Sequence, residues 1–313
     1  MAEALHDRQT IDHQPQLSRR AVLAGAIGLA LHENLAALLA QEVKHQSANE
    51  LLRKLPEKIR LAGGTEATVD TVEVPDARYL LVAIRSVHAH EPEKMTAEEW
   101  KVVNASSREI DQIIVKLHQE LGITTYAPEG FTPATIHTHQ EIMKRLTSVP
   151  PAIAKFKKLK RPQEAAELET LLKGLEKDLE ERIPYPGVLS LLKNGKMQII
   201  AAETEEAQQK AEKVEKNRLT NRHMGSWYRE DASLQLLHSE IPNLKKGPGV
   251  ISPWGASHWQ PFSGKPPKEK PLPARLEVWN NQHRNAKFSC AIITPPTAKE
   301  CVRTHPFPPP PER

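Results

Sequence analysis

The stretch "RYLLVAIRSVHAHEPE", residues 78–93, constrains the fold more than any other part of the chain. Its run Tyr79–Ile84 is apolar without alternation, the pattern of a strand covered on both faces. "SSREIDQIIVKLHQELG" follows at 106–122, where Ile110, Ile113, Ile114, Leu117 and Leu121 recur at helical spacing. Ser106 with Glu109 reads as a capping box and Gly122 as the C-terminal stop. "ITTYA" at 123–127 predicts the next strand. A strand, a helix and a strand so spaced predict a right-handed βαβ unit, and with it an α/β fold built on a mainly parallel sheet flanked by helices.

The rest of the chain extends this alternation. "GGTEATVDTVEVPDA" before Arg78 reads as a turn and an edge strand. "THQEIMKRL" and "EAAELETLLKGLEKDLEERI" predict a helical insertion over about 134–182, rich in charge pairs one turn apart and ended by "PYPG". A strand "MQIIAA" (197–202), a charged helix (204–218) and an amphipathic helix (229–241) with Leu234, Leu237 and Ile241 on one side come next. "GVISPW" (249–254) predicts another strand, with Pro253 at its end because proline cannot donate to a ladder. Residues 261–273 read as a Pro- and Lys-rich loop, and "KFSCAIIT" (287–294) as the last strand. The domain therefore spans about 71–300, after a 41–70 linker and before a Pro-rich tail at 301–313.

Residues 1–40 carry a different signal. Ser18-Arg19-Arg20 stands directly before the apolar segment Ala21–Leu31, which is too short to span a bilayer. The layout resembles a twin-arginine export signal, so a periplasmic or other extracytoplasmic location is expected, with an amphipathic helix on a cytoplasmic protein as the alternative.

Charge and cysteine content exclude several classes. Forty-three basic against 39 acidic residues leave a formal charge of +4, too little for a nucleic-acid partner. The densest basic run, "KFKKLKR" at 155–161, reads as a solvated face. Two cysteines, Cys290 and Cys301, provide neither a disulfide framework nor a thiolate metal site. Oligomeric state is not encoded in any such feature.

In parallel sheets, ligands bind beyond the carboxyl ends of the strands. There the first strand delivers His88 and His90, the second Glu129, the third Glu203 and the fourth His258. Imidazoles and a carboxylate at one edge suit a divalent metal such as zinc or manganese, with a position left for water. Without a metal, a His serves as base for water while Arg229 holds an anionic group. Histidines facing an apolar cavity suit axial haem ligation instead. Trp254, Trp259 and Phe262 around His258 fit a haem pocket or plain core packing. The second His-x-His, "HTH" at 137–139, opens a helix and reads as solvated. A TIM-barrel metal hydrolase would also carry His-x-His after its first strand, but needs eight strands, more than the apolar runs here supply.

In order, "VAIRSVHAH", "YAPEG", "YREDASLQLL" and "WGASH" resemble the motifs of the erythromycin-esterase, TraB/Tiki and ChaN-like superfamily, over about 79–294. "EVWNNQHRNAKFSCAIITP" is similar to the closing segment of bacterial members of that group. The resemblance implies an erythromycin-esterase/ChaN-like fold and singles out His88, Glu129, Arg229 and His258, which should converge. Arg85 stands where the family pattern has Gly, implying an anion contact or a salt bridge to Glu129 or Glu203. The activities it implies divide: Tiki-like metal-dependent proteolysis, His-assisted ester hydrolysis, or ChaN-like haem binding without turnover. The expectation is an exported hydrolase-like protein acting on a small molecule or peptide, with haem or ligand binding as the alternative.

Overall fold

The computed structural model describes residues 46–87, 92–216, 222–243, 247–255, 258–259 and 273–304. The 1–40 segment, His88, His90, Phe262 and most of the 261–273 loop and 301–313 tail lie outside the described residues. The chain runs α1 (Ala48–Arg53), β1 (Lys58–Arg60), β2 (Glu66–Val72), β3 (Tyr79–Ser86), α2 (Ala97–Leu121), β4 (Thr125–Tyr126), α3 (Pro133–Lys158) and α4 (Pro162–Arg182). It continues with α5 (Pro186–Lys193), β5 (Gln198–Ile199), α6 (Glu205–Lys216), α7 (Arg222–Glu240), β6 (Gly249–Gly255), α8 (Ala274–Gln282), β7 (Phe288–Thr294) and α9 (Pro296–Thr304). No helix among the described residues is long and apolar enough to cross a membrane.

The sheet is mixed rather than mainly parallel. Its order is β1-β2-β7-β3-β6-β4-β5. Strands β7, β3, β6, β4 and β5 run parallel, while β1 and β2 attach antiparallel at the β7 side. The antiparallel margin arises because Lys58–Arg60, read as linker, pairs as a strand across the Gly63-Gly64 turn, where both glycines have positive φ. "GGTEATVDTVEV" therefore supplies a second strand and not the edge itself. A late strand, β6, lies between β3 and β4, so the expected βαβ unit is split by chain that returns from far downstream to the centre of the sheet.

Both faces are covered, which explains the continuous apolar runs of β3, β6 and β7. Leu80, Val82 and Ile84 pack with Ile110, Ile113, Ile114 and Leu117 of α2 and with α1 and α5. Tyr79, Leu81 and Ala83 face Leu234 and Leu237 of α7, and Leu276 and Trp279 of α8. Helix α2 starts at Ala97 rather than at the expected Ser106, because Thr96 with Glu99 forms the capping box. Ser106 is interior and accepts the Val87 N–H at 3.1 Å, while Glu109 receives Thr297 at the start of α9. Gly122, at φ +67, ends the helix as expected. Helices α3 and α4 pack through Val149, Ile153 and Ala165, and α3 continues through Pro150-Pro151 to Lys158. The "KFKKLKR" run is mostly exposed at that helix end, but His139 of "HTH" is buried rather than solvated.

Pro253 sits inside β6, opposite Ile84 of β3, rather than at the strand's end. Its carbonyl still accepts the Glu129 N–H at 3.1 Å, on the β4 side. A ladder N–H at this position would reach the Ala127 carbonyl, because Ala127 N–H bonds Ile251 one step earlier. Ser252 Oγ takes over that role, donating to Ala127 O and accepting from Trp254 Nε1–H at 2.6 Å. A side-chain hydroxyl thus satisfies the carbonyl that proline abandons, and β4 is released to turn into "PEG".

Candidate functional site

The insertion of β6 between β3 and β4 sets the chain after β6 beside the chain after β4, at the carboxyl edge. Glu129 leaves β4 in a tight turn in which Phe131 N–H bonds Pro128 O and Gly130 has φ +85. That turn points the Gly130 N–H at Glu203 Oε1, at 2.5 Å. Glu203, just beyond β5, is fully buried. Arg229, on α7, donates from Nε and Nη2 to the two Glu203 oxygens, both at 2.7 Å, and from Nη2 to Glu129 Oε1 at 2.7 Å. Glu129 Oε2 accepts the Gly255 N–H at 2.6 Å, so the ends of β4 and β6 are tied together.

His258 completes the group. Its Nε2 lies 3.5 Å from Glu129 Oε1, and its Nδ1 3.1 Å from Glu230 Oε1. Arg229 and Glu230 are adjacent on α7, so one helix turn supplies both the cation for Glu129 and the anion for His258. Glu230 Oε1 also accepts the Trp259 N–H at 3.1 Å, which holds Trp259 at φ +54, a strained value for a bulky aromatic residue. Trp254 lies beneath, its ring 4.8 Å from the His258 ring and 5.5 Å from the Arg229 guanidinium carbon.

Electrostatics follow from the count: three carboxylates surround one guanidinium and one imidazole. Burial alone would push His258 down, but the hydrogen bonds and charges of Glu129 and Glu230 outweigh it and raise His258 to about 9. It is therefore an imidazolium at neutral pH. Burial likewise opposes the Arg229 charge, and Glu203 with Glu129 more than restores it. Glu129 and Arg229 retain 13% and 20% of their side-chain exposure, against 0% for Glu203 and 4% for Glu230. The accessible chemistry is thus Glu129 and Arg229, with His258 just behind.

The expected convergence of Glu129, Arg229 and His258 is present, while His88 and His90 lie outside the described residues. Glu203 joins them as the anchor of Arg229. None of the described ion pairs joins Arg85 to Glu129 or Glu203, both of which pair with Arg229. Sequence reasoning missed Glu230, although it follows Arg229 directly in "YREDASL", and Ser252, which only the Pro253 break in the ladder could have flagged.

The resemblance implies a divalent metal or haem, and His88 and His90 of the expected ligand set lie outside the described residues. Among the described residues, no cluster of three or more His, Cys, Asp or Glu side chains is arranged for a metal. The Arg229 cation stands between Glu129 and Glu203. Both His258 nitrogens face carboxylates, and Trp254 and Trp259 are packed into the core. A concavity of about 490 Å³ is lined by Arg78, His238, His283 and Arg284 before the amino ends of β3 and β7, away from this network.

Comparison of the chain with protein-family models, with curated proteins and with solved structures gave no match.

Proposed function

We propose that this chain is an exported, hydrolase-like protein of the erythromycin-esterase, TraB/Tiki and ChaN-like type, cleaving an ester or amide of a small molecule or peptide by His-assisted attack of water. The observation that carries the reading is the Glu129 carboxylate held between Arg229 and the His258 imidazolium at the carboxyl edge of the sheet. Export rests on the Ser18-Arg19-Arg20 motif and its apolar sequel.

Water is the nucleophile in this reading. Ser252 Oγ is engaged on Ala127 and Trp254, and Cys290 is buried in β7 with its thiol pushed up to about 12. The 3.5 Å separation of Glu129 and His258 is the longest of the described polar contacts of the network, and the water is taken to bind at the partly exposed Glu129 carboxylate beside it. Glu129 takes the proton of that water as its oxygen attacks the carbonyl carbon. Arg229 stabilises the oxyanion that develops. As the tetrahedral intermediate collapses, His258 Nε2 gives its proton to the departing alkoxide or amine, and the proton on Glu129 returns to His258. One water is consumed and an acid and an alcohol or amine are formed.

The test is hydrolysis of a panel of p-nitrophenyl esters, lactones and peptides by the purified chain, with and without chelator. Glu129→Gln and His258→Ala should each lower kcat by roughly 10²–10⁴-fold. Absence of turnover across the panel, or turnover indifferent to both substitutions, overturns the proposal.

A further inference from the structure

We propose that Arg85 is an anion-binding group beside this site, receiving a carboxylate or phosphate carried by the ligand. The assignment of that ligand as substrate rests on the hydrolase reading; the anion site itself does not.

Arg85 is the penultimate residue of β3 and pairs in parallel register with Trp254 of β6. Parallel partners stand about 4.8 Å apart with their side chains on one face. Alternation from Leu81 and Ala83 places Arg85 on the α7/α8 face, the face of the Trp254 ring that His258 and Arg229 touch. Its Nε is buried with no hydrogen-bond partner among the described residues. No ion pair reaches the guanidinium among the described residues. The two carboxylates nearest the strand ends are committed to Arg229, and the one described charge acting on Arg85 is that of exposed Asp70 on β2. Burial accordingly pushes the guanidinium below its usual range.

A half-buried guanidinium without a contacting carboxylate is costly, since each buried donor left unmade forfeits its hydration. A structural arginine would have a counter-ion. The Nε and a terminal nitrogen form the planar fork that carboxylates and phosphates occupy in bidentate fashion. An oxyanion there satisfies Nε on the sheet face that also carries Trp254, the neighbour of His258 and Arg229. The ligand class is thus an anionic small molecule, in the hydrolase reading an ester or amide that also bears an acidic group.

The experiment titrates the full chain with inorganic phosphate and, separately, with succinate by calorimetry, comparing wild type, Arg85→Met, Arg85→Lys and His258→Ala. At least one probe should bind wild type, and which one distinguishes phosphate from carboxylate. Arg85→Met should weaken it by roughly tenfold or more, Arg85→Lys less, and His258→Ala should keep it. Arg85→Met should also melt no lower than wild type, because it removes a partly buried charge whose one described electrostatic partner is the exposed Asp70. Failure of both probes to bind wild type, unchanged binding by Arg85→Met, or a clear drop in its melting temperature overturns the proposal. Retained binding in a chain that hydrolyses nothing overturns the hydrolase reading and leaves the anion site standing.

Discussion

Glu230 places one oxygen, Oε1, 3.1 Å from His258 Nδ1 and uses the same oxygen to accept the Trp259 N–H. The bond to Nδ1 fixes which face of the imidazole is held, so Nε2 is the nitrogen left toward Glu129. The bond to Trp259 fixes the backbone that carries the ring. Glu230 is thereby a positioning residue for His258, whose N–H bonds Gly255 O.

His258 should titrate near pH 9 by NMR, above the unperturbed value of 6.5. Because the folded pKa is raised, the stability this histidine contributes is fully present below about pH 6.5. It is lost as pH rises from there through about 9. Glu230→Gln should move the titration down and flatten that loss. A His258 resonance titrating at or below 6.5 in the intact chain would refute the ion pairing.

Arg229 neutralises Glu203, which has no exposure of its own and takes two of its three described donors from Arg229. Arg229→Met should cost about 3–5 kcal/mol in urea unfolding, because a buried carboxylate is left with one backbone N–H. The double variant Arg229→Met/Glu203→Gln should recover a large part of the loss. A single substitution costing under about 1 kcal/mol would mean that Glu203 does not need its cation.

Asp111 of α2 accepts the Gly187 and Val188 N–H groups at 3.0 and 2.9 Å, capping α5 in trans. Asp111→Ala should cost about 1–2 kcal/mol, as loss of an N-cap does. Gly187→Ala should also destabilise the chain, since an added Cβ would stand 2.6 Å from Val115 Cγ2 and 3.0 Å from the Asp111 carboxylate. Thermal melts of both variants check the clip; unchanged melting in both would remove it.

The legible parts of the sequence were those where one periodicity had one cause. Ile110, Ile113, Ile114 and Leu117 pointed to one buried face, and the unbroken Tyr79–Ile84 run to a strand covered twice. What misled was chemistry with two uses. Ser106-x-x-Glu109 has the spacing of a capping box, yet its members serve Val87 and Thr297 from inside α2. "MQIIAA" and "ITTYA" kept strand composition but pair over two residues each, just before the chain that carries Glu129 and Glu203. "ARLEVWNNQ", without a strong apolar period or a side-chain cap, was a helix that nothing local announced. Of the site, Glu129, Arg229 and His258 could be read from strand ends and motif order. Glu230 could not, since an acid beside Arg229 on an exposed-looking helix gives no sign that a histidine far along the chain will fold onto it.

The Ser252–Pro253 exchange is the sharpest test of the local account, because it predicts a rescue by a second substitution. Ser252→Ala leaves the Ala127 carbonyl and the Trp254 indole N–H without their described partner in a buried setting. That should cost about 2–4 kcal/mol. Pro253→Ala alone should change stability by no more than about 1 kcal/mol, since the regained N–H meets a carbonyl already bonded. In the double variant the backbone N–H regained at position 253 is free to take Ala127 O as a ladder bond, so the double should be more stable than Ser252→Ala by about 1 kcal/mol. Additive losses in the cycle, measured by urea unfolding, would show that the hydroxyl does not stand in for the proline's missing donor.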